Sequence, residues 1–283
     1  MSILSIQSQV VCGHVGHNAA TPVWHRLGFE VWAVPTVLYS SHPGHGPHSG
    51  FILEAGQLSD LLAGLGQRGG LDSLQAVHSG YLGNVSQAEV VRDLLDDIAE
   101  RHPSAYYCCD PVMGDSDSGL YVADDLAAFI ADQLVPRSHI VTPNRFELEY
   151  LCGHGLTDSG AFLAAADRLI EKGTQTVIIT SAHCRDRFDS GICTLAVRED
   201  EAWLCAQPEL AGVRRGSGDL FAALIHARLL QQHSLGHALS LAITSVQRIL
   251  ELGQKAGAEE LLVIEGASEI DTPRNPMAPM RLR

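Results

Sequence analysis

The chain has 283 residues, 46% hydrophobic and 18% charged, with a formal net charge of −14. The length suits one large α/β domain without a legible linker, and the apolar fraction excludes global disorder. The acidic balance argues against a nucleic-acid or anionic-membrane partner, although helix N-termini and a metal can still hold a phosphate locally. Seven cysteines without a CxxC pair read as thiols of a reducing compartment. Adjacent Cys108 and Cys109 read as strand residues on opposite faces. The first residues lack a signal peptide's charged and apolar regions, and no run reaches a membrane span, so the cytoplasm is expected.

Short β-like runs alternate with helical ones. Ile3 to Ile6 predicts a strand ending at Gln7-Ser8, followed by a glycine-bearing loop and a helix from about Ala19 to Leu27. Val31 to Val37 predicts a second strand. His42 to Gly50, rich in His, Gly and Pro, reads as a loop or flap. Leu58 to Leu65 is helical, Ala76 to His78 a short strand, and Val85 to Glu100 a long amphipathic helix. Ala105 to Cys109 is a buried-type strand stopping at Asp110-Pro111. A helix over Asp124 to Leu134 and a strand at Ile140-Val141 follow, ending at Thr142-Pro143-Asn144.

Helices are expected over Arg145 to Leu151 and Asp158 to Lys172, and a strand over Thr176 to Ile179 ending at Thr180-Ser181. Ile192 to Val197 and Ala202 to Ala206 predict a hairpin. Helices over Leu220 to Gln231 and Leu235 to Gln254 complete the order, and the proline-rich tail from Pro273 reads as loose. Such alternation predicts a mostly parallel sheet with helices on both faces, its ligand beyond the carboxyl ends of the strands. Ser8, Asp110, Thr142 to Asn144 and Thr180-Ser181 then share one address.

Gly216-Ser217-Gly218-Asp219 precedes the apolar run Leu220 to Ile225. Two glycines permit a tight turn with bare N–H groups, and a helix starting there offers its positive end to a phosphate. A carboxylate in the same turn can act as a base. Its plain structural reading is a helix cap. Asp110-Pro111-Val112-Met113-Gly114-Asp115 and Thr142-Pro143-Asn144-Arg145-Phe146-Glu147 place hard oxygen ligands at strand ends, which suits Mg²⁺ held partly through water. Asp110 and Asn144 also read as ordinary caps.

Together these segments resemble the ribokinase superfamily of small-molecule kinases, and within it the pyridoxal kinase family. Ser5 to Val11 with Gly13-His14-Val15-Gly16 is similar to that family's opening, and Ser79-Gly80-Tyr81-Leu82-Gly83 to its Ser-Gly-Tyr segment. Asp110 to Gly114, Thr142 to Glu147, Val177 to Ser181 and Gly216 to Ala223 continue the series in order, covering residue 3 to about residue 255. The resemblance implies a single three-layer α/β/α domain over residues 1–283. It implies transfer of a phosphoryl group from MgATP to the 5′-hydroxymethyl group of pyridoxal, with pyridoxine and pyridoxamine as further candidates.

By the same resemblance, Asp219 matches the catalytic base, and Gly216, Ser217 and Gly218 match the anion hole. Asn144 and Glu147 match residues that organise Mg²⁺ and its water shell. Asp110, Asp115 and Thr142 match positions near the ATP phosphates or a monovalent cation such as K⁺. Tyr121, Asn144, Thr180 and Ser181 match the nucleotide site. Ser8 and Tyr81, with Tyr39, His42 and Pro43 of the flap side, match the vitamer pocket. A homodimer is implied as well.

The flap departs from the family. Ser41-His42-Pro43-Gly44-His45-Gly46-Pro47-His48 puts Pro43 where a substrate-contacting Thr is expected, without a hydroxyl or N–H. His45 and His48 stand where Tyr and Trp are common, which opens the vitamer preference. The histidine spacing does not match a structural zinc module, and the flap histidines read as exposed. Two alternatives stay open: a hydroxymethylpyrimidine or other small-alcohol kinase of the superfamily, and a catalytically weak B6-binding regulatory protein. The retained Asp219 and its glycines argue against the second.

Overall fold

A computed structural model describes residues 1–67, 69, 71, 74–210 and 215–283. Its strands, in chain order, are β1 (Ser2–Val10), β2 (Glu30–Tyr39), β3 (Gly50–Ile52), β4 (Ala76–Ser79), β5 (Tyr106–Cys109), β6 (Gly114–Asp115), β7 (Gly119–Leu120), β8 (Ile140–Val141), β9 (Thr176–Ala182), β10 (Ile192–Val197), β11 (Ala202–Gln207) and β12 (Met280–Arg281). Ten of them form one sheet in the order β12-β11-β10-β9-β8-β5-β4-β1-β2-β3, and β6 and β7 form a separate hairpin. The pairs from β2 through β1, β4, β5 and β8 to β9 are parallel. The flanking pairs β2–β3, β9–β10, β10–β11 and β11–β12 are antiparallel.

The helices are α1 (His17–Arg26), α2 (Ala55–Gln67), α3 (Val85–Arg101), α4 (Asp124–Phe129), α5 (Arg145–Cys152), α6 (Ser159–Glu171), α7 (Ser217–Leu230), α8 (Leu235–Ala256) and α9 (Ala267–Asp271). They cover the sheet on both faces, giving the expected three-layer α/β/α fold. The period-two alternation of the strands sends neighbouring residues into different cores. Leu4, Cys109, Val141 and Ile179 join the core under α2 to α6. Ile3, Cys108, Ile140 and Ile178 join the core under α1, α7 and α8. Cys108 and Cys109 thus face opposite ways, as their adjacency predicts. Each fully buried Leu or Ile contributes about 1.5–3 kcal/mol.

Helix α7 is buried from Leu220 to Leu230, His226 and Arg228 included, which suits a helix wedged between the sheet and α1 and α8. It starts at Ser217, before the expected Leu220, because Gly216 takes a left-handed conformation and turns the chain into the helix. β1 runs past Ser8 to Val10, with a register shift against β2 between Gln7 and Gln9. Pro35 of β2 pairs at that point and has no N–H for the ladder.

The expected helix over Asp124 to Leu134 divides. It is α-helical to Phe129 and then widens through Ile130–Leu134 into a tight turn with Pro136, whose ring cannot continue the α pattern. The segment from Pro273 differs from the loose tail its prolines suggest. The Met277 N–H donates to Thr244 Oγ1 at 2.8 Å, Met280 and Arg281 pair with β11, and Arg283 meets Asp167 at 2.8 Å.

Candidate active site

The site is built at the carboxyl ends of β1, β5, β8 and β9 and at the start of α7. Pro111 ends β5 and leaves Asp110 just beyond its last ladder residue. The Asp110 Oδ1 accepts from Thr142 Oγ1 at 2.8 Å, and both residues are buried. Burial, then the nearby Asp219 carboxylate, pushes Asp110 up to about 7, with the Thr142 hydrogen bond opposing.

Asn144 and Glu147 form a reciprocal capping box at the start of α5. Asn144 Oδ1 accepts from the Glu147 N–H at 2.9 Å, and Glu147 Oε2 accepts from the Asn144 N–H at 2.8 Å. The other Glu147 oxygen accepts from the Met113 N–H at 3.0 Å, and Asn144 Nδ2 donates to the Gly114 carbonyl at 2.8 Å. The reading of Asn144 as a cap therefore holds, and Glu147 completes the box. Glu147 is 3% exposed, and burial followed by repulsion from Asp110 raises it to about 8 despite three backbone N–H partners.

Asp219 lies in the first turn of α7, and desolvation raises its carboxyl to about 6, opposed by the Gly16 N–H that it accepts. Gly216 has φ +78°, and a Cβ on it would lie 2.0 Å from the His14 carbonyl oxygen. A Cβ on Gly218 would meet open space. No side chain among the described residues caps the helix start. The first turn of α7 is thus open to solvent at Gly218, next to the Asp219 carboxylate. Buried Asp110 and Glu147 and half-buried Asp219 form an acidic set, and none of the three has an arginine or lysine partner among the described residues.

Other expected site residues border this set. Ser8 packs on Gly16, where a Cβ would fall 2.4 Å from Ser8 Oγ, so Ser8 and Asp219 meet on either side of one glycine. Tyr121 is 46% exposed; partial desolvation, then the carboxylates of Glu147, Asp110, Asp219 and Asp115, hold its phenol above the ordinary range. Asp115 Oδ1 accepts from the Asp117 and Ser118 N–H groups at 2.9 and 2.6 Å, which closes the β6–β7 hairpin. Thr180 bridges to Asn144, and its N–H donates to the Pro143 carbonyl at 2.9 Å. Ser181 is left-handed at φ 55°, a strained conformation for a residue with a side chain.

A second group lies on the flap side. Burial and then the neighbouring Tyr39 raise the Tyr81 phenol. Tyr39 also meets His48 edge-on at 5.0 Å. His42 Nδ1 accepts from the Gly44 N–H at 2.9 Å and caps the short turn Pro43–His45. Pro43 is exposed on that turn.

Two residues that sequence reasoning passed over join the groups. Arg215 Nη2 donates to the Gly44 carbonyl at 2.6 Å, which ties the flap to the residue before Gly216. Glu260 stands 3.2 Å from His45 Nε2 and accepts from the His14 N–H at 3.1 Å. Arg215 was legible only as a cation abutting the glycine turn. Glu260 carried no signal, because its partners lie more than 200 positions away.

A profile of the phosphomethylpyrimidine kinase family matches residues 72–263. The chain is 43% identical over 274 residues to a pyridoxal kinase of Rubrobacter xylanophilus, covering 96% of this chain and 94% of that protein. It is 38% identical to a pyridoxine/pyridoxal/pyridoxamine kinase of Bordetella avium, covering 92% and 88%. The structure overlays on the pyridoxal kinase of Leishmania donovani in complex with ADP and pyridoxamine with a TM-score of 0.93 at 27% identity, covering 100% of this chain and 99% of that one. With the fold and the order of its site segments, these similarities place the chain in the pyridoxal kinase family of ATP-dependent kinases.

Proposed function

We propose that the chain transfers the γ-phosphoryl group of ATP to the 5′-hydroxymethyl group of pyridoxal, with pyridoxine and pyridoxamine as further substrates. The observation that carries this reading is the Asp219 carboxylate, raised to about 6, in the same turn as the amides after Gly216. A base needs a pKa near the working pH and reach to the proton it takes. Asp219 accepts the hydroxyl proton as that oxygen bonds to the γ-phosphorus and ADP departs. The N–H groups from Gly216 to Gly218 hold the charge on the transferring phosphoryl.

Asp110, Thr142, Asn144 and Glu147 are the residues that would hold Mg²⁺ around the ATP phosphates. The fit rests on the buried carboxylates of Asp110 and Glu147, both pushed up by burial and without a cationic partner among the described residues. Mg²⁺ neutralises phosphate charge when bound. K⁺ is a further candidate for the same acidic surroundings. Tyr121 and Thr180 border the acidic set, and with Ser181, next in the chain, they are the residues that would receive the nucleotide. Tyr39 and Tyr81, on the side of the flap that bears His42 and Pro43, suit the flat pyridine ring, and Ser8 beside Gly16 suits its polar edge.

The phosphomethylpyrimidine kinase profile supports a second reading, a hydroxymethylpyrimidine kinase. One assay separates them. Purified protein with MgATP is given each B6 vitamer and hydroxymethylpyrimidine, and ADP and phosphorylated product are followed. Phosphorylation of pyridoxal is expected. Exclusive turnover of hydroxymethylpyrimidine supports the second reading, and turnover of neither leaves a binding protein.

A further inference from the structure

On the sheet face under α1 and α7 lie three side chains that the phosphoryl site does not use. His78 of β4 and Cys108 of β5 pair directly in the parallel ladder, so both leave the same face. His226 of α7 lies over them. All three are 0% exposed. One ligand atom from each, two imidazole nitrogens and the Cys108 Sγ, lies within 4.8 Å of the others. The two imidazole centroids are 5.6 Å apart, and Trp24 meets both rings edge-on at 5.0 and 6.4 Å. Neither nitrogen of either ring has a hydrogen-bond partner among the described residues.

Four orphan ring nitrogens in one apolar core are costly, since a buried donor or acceptor without a partner forfeits its hydration. Leu or Phe would fill the same space without that loss. Burial, then the neighbouring His226 and His17, holds His78 far below its ordinary range. Burial, then His139, brings His226 down to about 3. Both rings are therefore neutral near pH 7, and each offers a lone pair. Two neutral imidazoles and one thiol are the donor set of a soft or borderline transition metal, unlike the hard oxygens around Asp110.

We propose that His78, Cys108 and His226 form a buried site for one d¹⁰ transition-metal ion, Cu⁺ or Zn²⁺. As the ion bonds to Sγ, the Cys108 proton leaves to solvent, and the two imidazoles bind through nitrogen without loss of a proton. A thiolate with Cu⁺ makes a neutral three-coordinate centre, which suits an apolar enclosure. Zn²⁺ leaves a net positive charge and calls for a fourth ligand such as water. The ion would tie α7 to β4 and β5, two turns along the helix from Asp219 and two residues before Asp110. It is a clamp on the frame of the phosphoryl site.

The test uses full-length protein stripped of metal with a chelator. Samples are incubated separately with Zn²⁺ and with Cu⁺ kept reduced, desalted, and analysed for metal by mass spectrometry. About one equivalent of one ion per chain is expected to remain, with a higher melting temperature. Cys108→Ala and His226→Leu should each cut retention by about ten-fold or more, whereas Cys12→Ser, at an exposed cysteine, should not. X-ray absorption on the wild type reads the shell directly and does not depend on the core variants folding. One sulfur with two nitrogens supports the site. Retention of neither ion, equal retention by Cys108→Ala, or a shell of oxygens without sulfur overturns it.

Discussion

At Gly216 the fold and the proposed chemistry meet in one residue. Its φ of +78° starts α7 abruptly, and its missing side chain lets the His14 carbonyl approach. Gly216→Ala would place a Cβ 2.0 Å from that oxygen, and a side chain at positive φ adds about 1–3 kcal/mol of strain. We expect a lower denaturation midpoint together with a fall in kcat, because the displaced turn carries both the amides and Asp219. Loss of stability with unchanged turnover per folded molecule would separate the turn from the chemistry. The glycine was legible in the sequence as a tight turn. The Gly16 N–H on Asp219 was not, because a backbone donor leaves no mark on residue identity.

Among the elements, the flap and the α7 turn are joined rather than independent. Arg215 holds the Gly44 carbonyl, and Glu260 faces His45 while holding the His14 N–H. A flap rich in His, Gly and Pro was readable as a loop. Its closure onto the glycine turn was not, since Arg215 and Gly44 are 171 positions apart. Removing that hydrogen bond in Arg215→Ala costs about 1 kcal/mol, or about five-fold in KM for pyridoxal, with a smaller change in kcat. Steady-state kinetics with each vitamer checks this, and an unchanged KM throughout would mean that the flap closes by other contacts. Elements fixed by local pattern were read well, as in α3 and the β10–β11 hairpin. The widening after Phe129 and the strand at Met280 answer to tertiary packing, which sequence periodicity does not report.

For the whole molecule, the acidic set makes stability depend on pH and on cations. Asp219, Asp110 and Glu147 are held at about 6, 7 and 8, all above the ordinary carboxylate range. The folded chain then keeps protons that the unfolded chain has released. This contribution to stability is full at low pH and is lost as pH rises through those values. Mg²⁺ held by these carboxylates as proposed would reverse the loss by favouring the ionised forms, so its effect on melting temperature should be larger at about pH 8 than at about pH 5. Calorimetry across that range checks it, and an effect independent of pH would mean that these carboxylates do not hold the ion. On the proposed function, this frame sets Asp219 to take a proton during phosphoryl transfer. The direct measurement is turnover of Asp219→Asn with MgATP and pyridoxal, alongside calorimetric binding of both. We predict binding close to wild type and a kcat lower by about 10²–10⁴-fold; near-wild-type turnover would contradict the assignment of Asp219 as the base.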